Sequence, residues 1–151
     1  MRSRPHPHRR QHGFTLMEVL VSVMILSLGI LALVRLQASA VKMATDARQR
    51  AEATFLADQL LARMLISGSA AAASFAHLPT GTVRCVPEGA ASTNANVTEW
   101  LRQVTETFPQ ASADDQSVSV DNGVVTIRLC WKNGANDDLR TLEVTNRVQW
   151  P

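Results

Sequence analysis

The sequence contains few of the residues from which enzymes build active sites. Only two cysteines and four histidines occur in 151 residues, and three of the histidines, His6, His8 and His12, precede Gly13. His6 and His8 form an H-x-H pattern typical of some metal sites, but a removable polar leader explains the three histidines better. The rest of the sequence contains no Gly-rich phosphate loop and no Cys/His metal cluster. We therefore expect a protein that is not an enzyme and has no cofactor and no metal site.

Two weaker candidate sites lie in the remainder of the chain. His77 is the only histidine after the leader, and nothing in the sequence orients a Ser-His-Asp arrangement around it. Asn133, Asn136, Asp137 and Asp138 offer oxygen ligands for calcium, but their spacing is not that of an EF-hand loop. We interpret His77 as a loop residue and the second group as a solvated turn.

Acidic residues are absent before Gly13, whereas four arginines are present there. Residues 14–151 therefore carry 15 − 4 = 11 lysines and arginines against 13 acids, a net charge of −2. Without the leader, the chain has no general electrostatic basis for binding nucleic acid.

Charges are also missing from Val19 to Val34. The apolar segment Phe14–Val34 has 21 residues, about 31 Å as a helix, which matches the hydrocarbon thickness of a bilayer. Arginines before it and none inside it predict a cytoplasmic N-terminus and an external remainder. The alternative is a secretory signal cleaved after Ala38-Ser39-Ala40. The long apolar run and Arg35 just before that point argue against it.

Glycine and proline are missing from residues 37–66, which are rich in good helix formers. The helix is therefore expected to continue past the membrane and to end at Ser67-Gly68-Ser69. Asp46 and Arg50 form an expected i,i+4 ion pair. Spacings of three and four place five residues on one predicted face: Ala40, Ala44, Ala47, Ala51 and Phe55. Apolar residues at positions 56–65 widen the apolar surface near the end of the helix.

The remaining residues 67–151 predict a small head. Residues 67–95 are read as loops with a helical turn around Ala70–Ala76, and residues 97–108 as an amphipathic helix that ends at Pro109. A three-stranded antiparallel meander is predicted over residues 116–150, with Asn122-Gly123 at its first turn. Its apolar face should pack on the long helix through Phe55, Leu60, Leu61 and Met64, with Trp100, Trp131 and Trp150 in the core.

The sequence contains two cysteines, Cys85 and Cys130. Their spacing alone does not show whether they form a disulfide. If the head lies outside the cytoplasm, a bridge between them is favoured over two free thiols. In the chain-entropy model a loop of about 46 residues closed in this way gains on the order of 4 kcal/mol.

The stretch GFTLMEVLVSVMILSLGILAL, residues 13–33, resembles the class III signal sequence of type IV pilins and type II secretion pseudopilins. By this resemblance, prepilin peptidase cleaves between Gly13 and Phe14, and Phe14 becomes an N-methylated N-terminus. Glu18 corresponds to the acid at the fifth mature position. The implied fold class is α+β, the type IV pilin fold, with a long N-terminal helix packed on a small antiparallel sheet. Its domains would be leader 1–13, helix 14–66 (transmembrane 14–34, amphipathic 35–66) and periplasmic head 67–151.

Within that family, residues 13–64 are most similar to PilV-type minor pilins, and similarity beyond them is loose. Two departures are present. Arg35 stands where many major pilins have a helix-kinking proline, which puts local melting of the helix in doubt, and Met17 replaces the commoner Leu or Ile.

Glu18 would lie about 6 Å inside the new N-terminus. A carboxylate near the bilayer centre costs on the order of a few kcal/mol, so a compensating cation is expected. We hypothesise that the methylated amine of Phe14, in the same or a neighbouring subunit, supplies it and sets the axial register of assembly. The alternative is an interfacial acid solvated by lipid headgroups.

The resemblance implies a minor pilin of a type IV pilus that helps to prime or cap assembly. It would sit in the inner membrane with its head in the periplasm, and afterwards in the extracellular fibre. The expected partners are prepilin peptidase, other minor pilins, the major pilin, the inner-membrane assembly platform and membrane lipid. Alternatives are a type II secretion pseudopilin, a DNA-uptake minor pilin and a plain secreted domain.

Overall fold

A computed structural model describes residues 13, 15–108, 110–134 and 138–149. The chain forms two compact units, Met1–Ala44 and Thr45–Pro151. Helix α1, Leu16–Ser67, contributes residues to both units. The helix ends at Ser67, within the expected stop signal, and Gly68 follows with φ +79°, a conformation that glycine adopts without strain.

The first unit contains the apolar half of α1. Its large apolar side chains are exposed along the whole segment. Among the described residues, α1 is the one helix long and apolar enough to cross a membrane. Length and composition therefore agree with the expected membrane segment.

The second unit contains the rest of α1 and the head. After α1 come α2 (Ser69–Ala72), a 3-10 turn (Ala73–Phe75), strands β1 (Thr80–Val83) and β2 (Val86–Glu88), and helix α3 (Ala95–Thr107). A second 3-10 turn (Ala113–Asp115) leads to β3 (Ser117–Asp121), β4 (Val124–Trp131) and β5 (Arg140–Arg147). Strands β1 and β2 form one antiparallel sheet, and β3, β4 and β5 form another in that order. The layout is α+β and type IV pilin-like, as expected.

The first turn of the meander has the predicted geometry. Asn122 and Gly123 both have positive φ, +48° and +78°, as a two-residue type I′ hairpin turn requires. The register pairs Val120 with Val125 and Asp121 with Val124. The third strand ends at Arg147, and Trp150, which was expected in the core, lies outside the described residues.

The core lies between α1, α3 and the inner face of the three-stranded sheet. The buried residues of α1 follow the pattern i, i+3, i+4, i+7, i+8, i+11 of one helix face. They are Ala53, Leu56, Ala57, Leu60, Leu61 and Met64. Helix α3 contributes Val97, Trp100, Leu101 and Val104, and the sheet contributes Val118, Val125, Ile127, Leu129 and Trp131.

The prediction that Phe55 belongs to the core was wrong. Phe55 is 66% exposed, whereas Leu60, Leu61 and Met64 are buried as expected. Each helical residue is rotated by about 100°, so Phe55 points away from Ala57 and from the face that covers the sheet. The predicted face from Ala40 to Phe55 is therefore a different face from the one that is buried.

The expected pair between Asp46 and Arg50 was also wrong. Asp46 Oδ2 lies 3.0 Å from Arg140 Nη1, and Asn133 Nδ2 donates to Asp46 Oδ1 at 3.0 Å. The i,i+4 pair on this part of α1 is Arg48–Glu52. A salt bridge between α1 and the start of β5 depends on tertiary packing, which helix spacing alone does not specify.

The β1–β2 hairpin was not predicted, because residues 67–95 were read as loops. Its strands are only four and three residues long, and β2 contains Pro87, so neither shows a two-residue hydrophobic period. Gly81 is required here. It has φ +103°, and a Cβ atom at this position would meet the carbonyl oxygen of Val86 at 2.9 Å. The predicted helical turn around Ala70–Ala76 is confirmed by α2 and the following 3-10 turn.

Candidate functional site

The candidate site is the start of α1, where the sequence predicts processing. Gly13 is exposed and lies outside the helix, and Thr15 is likewise non-helical. Among the described residues, nothing lies within 4 Å of a Cβ atom built on Gly13. Phe14, the expected new N-terminus, lies outside the described residues. Gly13 is thus accessible and outside the helix, as a cleavage site requires.

Thr15 caps the helix. Its hydroxyl accepts a hydrogen bond from the backbone N–H of Glu18 at 3.3 Å, and its carbonyl accepts from Glu18 and Val19. This arrangement satisfies N–H groups that have no partner within the first turn of a helix. Helix α1 therefore begins at a fixed residue.

Glu18 is the third residue of α1 and is exposed. A carboxylate in the first turn interacts favourably with the positive end of the helix dipole. Thr15-Leu16-Met17-Glu18 has the S/T-x-x-E sequence of a capping box. The sequence analysis considered the membrane depth of Glu18 and missed this signal. Glu18 thus has a local role in starting the helix in addition to any role in assembly.

The apolar half of α1 contains two serines, and the hydroxyl group of each forms a hydrogen bond. Ser22 Oγ donates to the Glu18 carbonyl and Ser27 Oγ donates to the Val23 carbonyl, both at 2.7 Å. Such back-bonding to the i−4 carbonyl removes the cost of placing a hydroxyl in hydrocarbon. The segment is therefore compatible with a membrane and with packing among apolar helices.

The cysteines are brought together in the head. Cys85 and Cys130 form a disulfide with their Cα atoms 5.8 Å apart. Cys85 lies in the turn between β1 and β2, with φ +58°, and Cys130 lies on β4. The disulfide therefore attaches the β1–β2 hairpin to the three-stranded sheet.

His77 has a structural environment. It is buried, its Nδ1 accepts a hydrogen bond from the Ser92 backbone N–H at 3.1 Å, and its Nε2 lies 3.1 Å from the Ala113 carbonyl oxygen. Its backbone also pairs with Val118 in both directions. Both ring nitrogens are thus used to hold loops together, and neither is placed to activate a serine.

The structure describes two of the four residues considered as calcium ligands, Asn133 and Asp138. Asn133 donates to Asp46, whereas Asn136 and Asp137 lie outside the described residues. In the part of the chain that the structure describes, no group of three His, Cys, Asp or Glu side chains could hold a metal ion.

The exposed face of α3 carries the one strong electrostatic perturbation described. Arg102 donates from Nε and Nη2 to both carboxylate oxygens of Glu99, at 2.9 and 2.6 Å. These hydrogen bonds, with the positive charge of Arg102, lower the pKa of Glu99 to about 2. Arg102 also pairs with Glu106, and the two carboxylates raise the pKa of its guanidinium. These i,i+3 and i,i+4 pairs stabilise α3.

Comparison with known proteins adds one match. A family described as "Prokaryotic N-terminal methylation motif" matches residues 8–34. Neither a curated protein nor a solved structure matches the chain. The matched residues contain Gly13, Phe14 and Glu18, together with the apolar half of α1. The chain therefore carries the N-terminal methylation motif of prepilins, and this motif, joined to an α+β layout, supports a type IV pilin-like protein.

Proposed function

We propose that the chain is a minor pilin of the PilV type, made as a prepilin and incorporated into a type IV pilus. The observation that carries the proposal is the methylation motif at residues 8–34, whose part from Leu16 onward lies in α1 and has exposed apolar side chains. An apolar helix surface of this kind needs either lipid or similar helices around it. A subunit that begins in a membrane and ends in a filament meets both in turn.

Processing is the first step. Prepilin peptidase cleaves after Gly13 on the cytoplasmic side, and Phe14 is then N-methylated. Because the cut precedes the apolar segment, the helix stays in the inner membrane with the head in the periplasm. The exposed, non-helical Gly13 supports this step, since a protease needs an extended substrate.

Glu18 acts in assembly. Cleavage creates an amine on Phe14, and the Glu18 carboxylate pairs with this amine in its own or a neighbouring subunit. In a filament core the pair lies in a medium of low dielectric constant, so its energy depends steeply on separation. A subunit displaced along the fibre loses the pair, and Glu18 thereby selects one axial register.

The head supplies the remaining contacts. Its disulfide and its packed core make it a rigid unit that joins other minor pilins and the major pilin above the assembly platform. In this role the protein helps to prime assembly or to cap the fibre. A type II secretion pseudopilin would share the motif and the helix, so the experiment must separate pilus number from secretion.

The test is the substitution Glu18→Ala, with Asp58→Ala, an exposed acid on the same helix, as the matched control. We expect normal cleavage at Gly13 and a normal amount of membrane protein in both variants. Pilus number and the amount of this chain in sheared fibres should fall only in Glu18→Ala. Wild-type piliation in Glu18→Ala would remove the assembly role of Glu18. Loss of type II secretion with normal pili would identify a pseudopilin.

A further inference from the structure

A polar cleft lies on the outer face of the three-stranded sheet, within the head. In the β4–β5 register Arg128 is opposite Glu143, and Cys130 is opposite Thr141. Successive strand residues point to opposite faces, so these side chains face away from the core that holds Ile127 and Leu129. The β1–β2 hairpin forms the other wall. The cleft has a volume of about 300 Å³ and is lined by Thr82, Arg84, Arg128, Thr141 and Glu143.

The two walls are held together covalently. Arg84 immediately precedes Cys85, which forms the disulfide with Cys130 on β4. The sulfur of Cys85 also lies 3.4 Å from the Thr141 hydroxyl. The backbone that carries Arg84 is therefore fixed relative to β4 and β5, so less conformational entropy is lost when a ligand binds.

Guanidinium groups dominate the chemistry of this cleft. Arg128 uses Nε and Nη2 to donate to one oxygen of Glu143, at 3.0 and 2.8 Å. Arg84 is exposed, and no ion pair joins it to any residue within the described ranges. An arginine offers two parallel N–H donors that match a carboxylate group. Arg84 is thus a free binding group for an anion, held beside a second guanidinium.

Glu143 limits which anion can bind. Both donors from Arg128 go to its Oε2 atom, and the described contacts leave Oε1 as a hydrogen-bond acceptor at the cleft. A ligand that is negative at every oxygen would be repelled there, whereas a hydroxyl group would donate to Oε1. The Thr82 and Thr141 hydroxyls add two groups that either donate or accept. The matching ligand is therefore negative at one end and rich in hydroxyl groups at the other.

We propose that this cleft binds a sugar residue that carries a carboxylate, with the carboxylate on Arg84 and the ring hydroxyls toward Glu143 and the threonines. The volume is at the lower end of the range of about 300–1,000 Å³ seen for small-molecule sites, which suits one sugar ring. The described lining residues are all polar or charged, so polar groups determine the specificity. This site is independent of the role of the N-terminal motif.

The experiment is a titration of the full-length protein in detergent micelles, observed through the methyl signals of labelled threonines. The probes are glucuronate, glucose and inorganic phosphate. We expect glucuronate to shift the Thr82 and Thr141 signals in a saturable manner and to leave Thr54 and Thr105, which lie on helices, unchanged. Loss of one charged hydrogen-bonding partner should weaken affinity on the order of tenfold, so glucose should bind at least that much more weakly.

Two variants and one control test the assignment of residues. Arg84→Gln should lower the affinity for glucuronate about tenfold, whereas Arg147→Gln, an exposed arginine at the end of β5, should not change it. Glu143→Gln should reduce the preference for glucuronate over phosphate, because it removes the repulsion of a fully anionic ligand. The absence of saturable shifts, an equal response to glucose, or phosphate binding as tight as glucuronate in the wild type would each overturn the proposal.

Discussion

The side-chain amide of Gln116 forms hydrogen bonds to both backbone groups of Cys130. Gln116 Nε2 donates to the Cys130 carbonyl at 3.0 Å, and the Cys130 N–H donates to Gln116 Oε1 at 2.8 Å. Gln116 directly precedes β3 and is fully buried. Its side chain therefore continues the pairing with β4 beyond the last backbone pair, Ser117–Arg128, to the residue that carries the disulfide.

We predict that Gln116→Leu destabilises the head by about 1–3 kcal/mol, the cost of leaving buried hydrogen-bonding groups without partners. The matched control is Gln149→Leu, at an exposed position near the C-terminus, which should change stability by less than about 0.5 kcal/mol. Urea unfolding followed by the fluorescence of the buried Trp100 and Trp131 measures both. Equal stability of the two variants would show that the amide pair contributes nothing.

The packing of α1 gives a second prediction. Leu60 is buried and Phe55 is 66% exposed on the same helix. Leu60→Ala should destabilise the head by about 2–5 kcal/mol, because it removes a core side chain and leaves a cavity. Phe55→Ala should change the unfolding free energy by less than about 0.5 kcal/mol. A large loss of stability in Phe55→Ala, measured on the monomer in detergent, would contradict the orientation of α1.

The third prediction concerns acid stability. Hydrogen bonds from Arg102 lower the pKa of Glu99 from its ordinary value of 4.5 to about 2. A lowered carboxyl pKa in the folded state contributes stability above pH 4.5, and this contribution disappears as the pH falls from 4.5 toward 2. The stability difference between the wild type and Glu99→Gln should therefore be constant near neutral pH and shrink below pH 4.5. Because the Glu99–Arg102 pair is exposed, added salt should reduce this stability difference.

Thermal unfolding between pH 6 and pH 2.5 measures this difference. Arg102→Gln is the companion variant, since it removes the main cause of the lowered Glu99 pKa and should strongly reduce the pH dependence that Glu99 contributes. A difference that stays constant down to pH 2.5, or grows on acidification, would contradict the lowered pKa.

Local signals in the sequence specified much of this fold. Asn122-Gly123 gives the type I′ turn because both residues tolerate positive φ, and Gly68 ends α1 for the same reason. The apolar spacing of Val97, Trp100, Leu101 and Val104 placed α3 on the core. Each of these signals acts within a few residues, so the sequence alone was sufficient to identify it.

Contacts between distant parts of the chain were harder to predict. The pairing of Asp46 with Arg140 joins residues 94 positions apart in the numbering, and helix spacing offered Arg50 as a nearer partner. The β1–β2 hairpin is stabilised by its attachment to β4 through Cys85, not by a pattern of its own. The polar cleft depends on that attachment, because Thr82 and Arg84 reach the sheet only when the hairpin is in place.

The central claim is that a prepilin is processed and retained in the membrane. The intact mass of the protein from inner membranes, measured with and without reductant, tests this claim most directly. We predict a mass that begins at N-methylated Phe14 and increases by two hydrogens on reduction of the Cys85–Cys130 disulfide. A soluble species that begins at Val41 would instead indicate an ordinary secreted domain and would contradict the filament role.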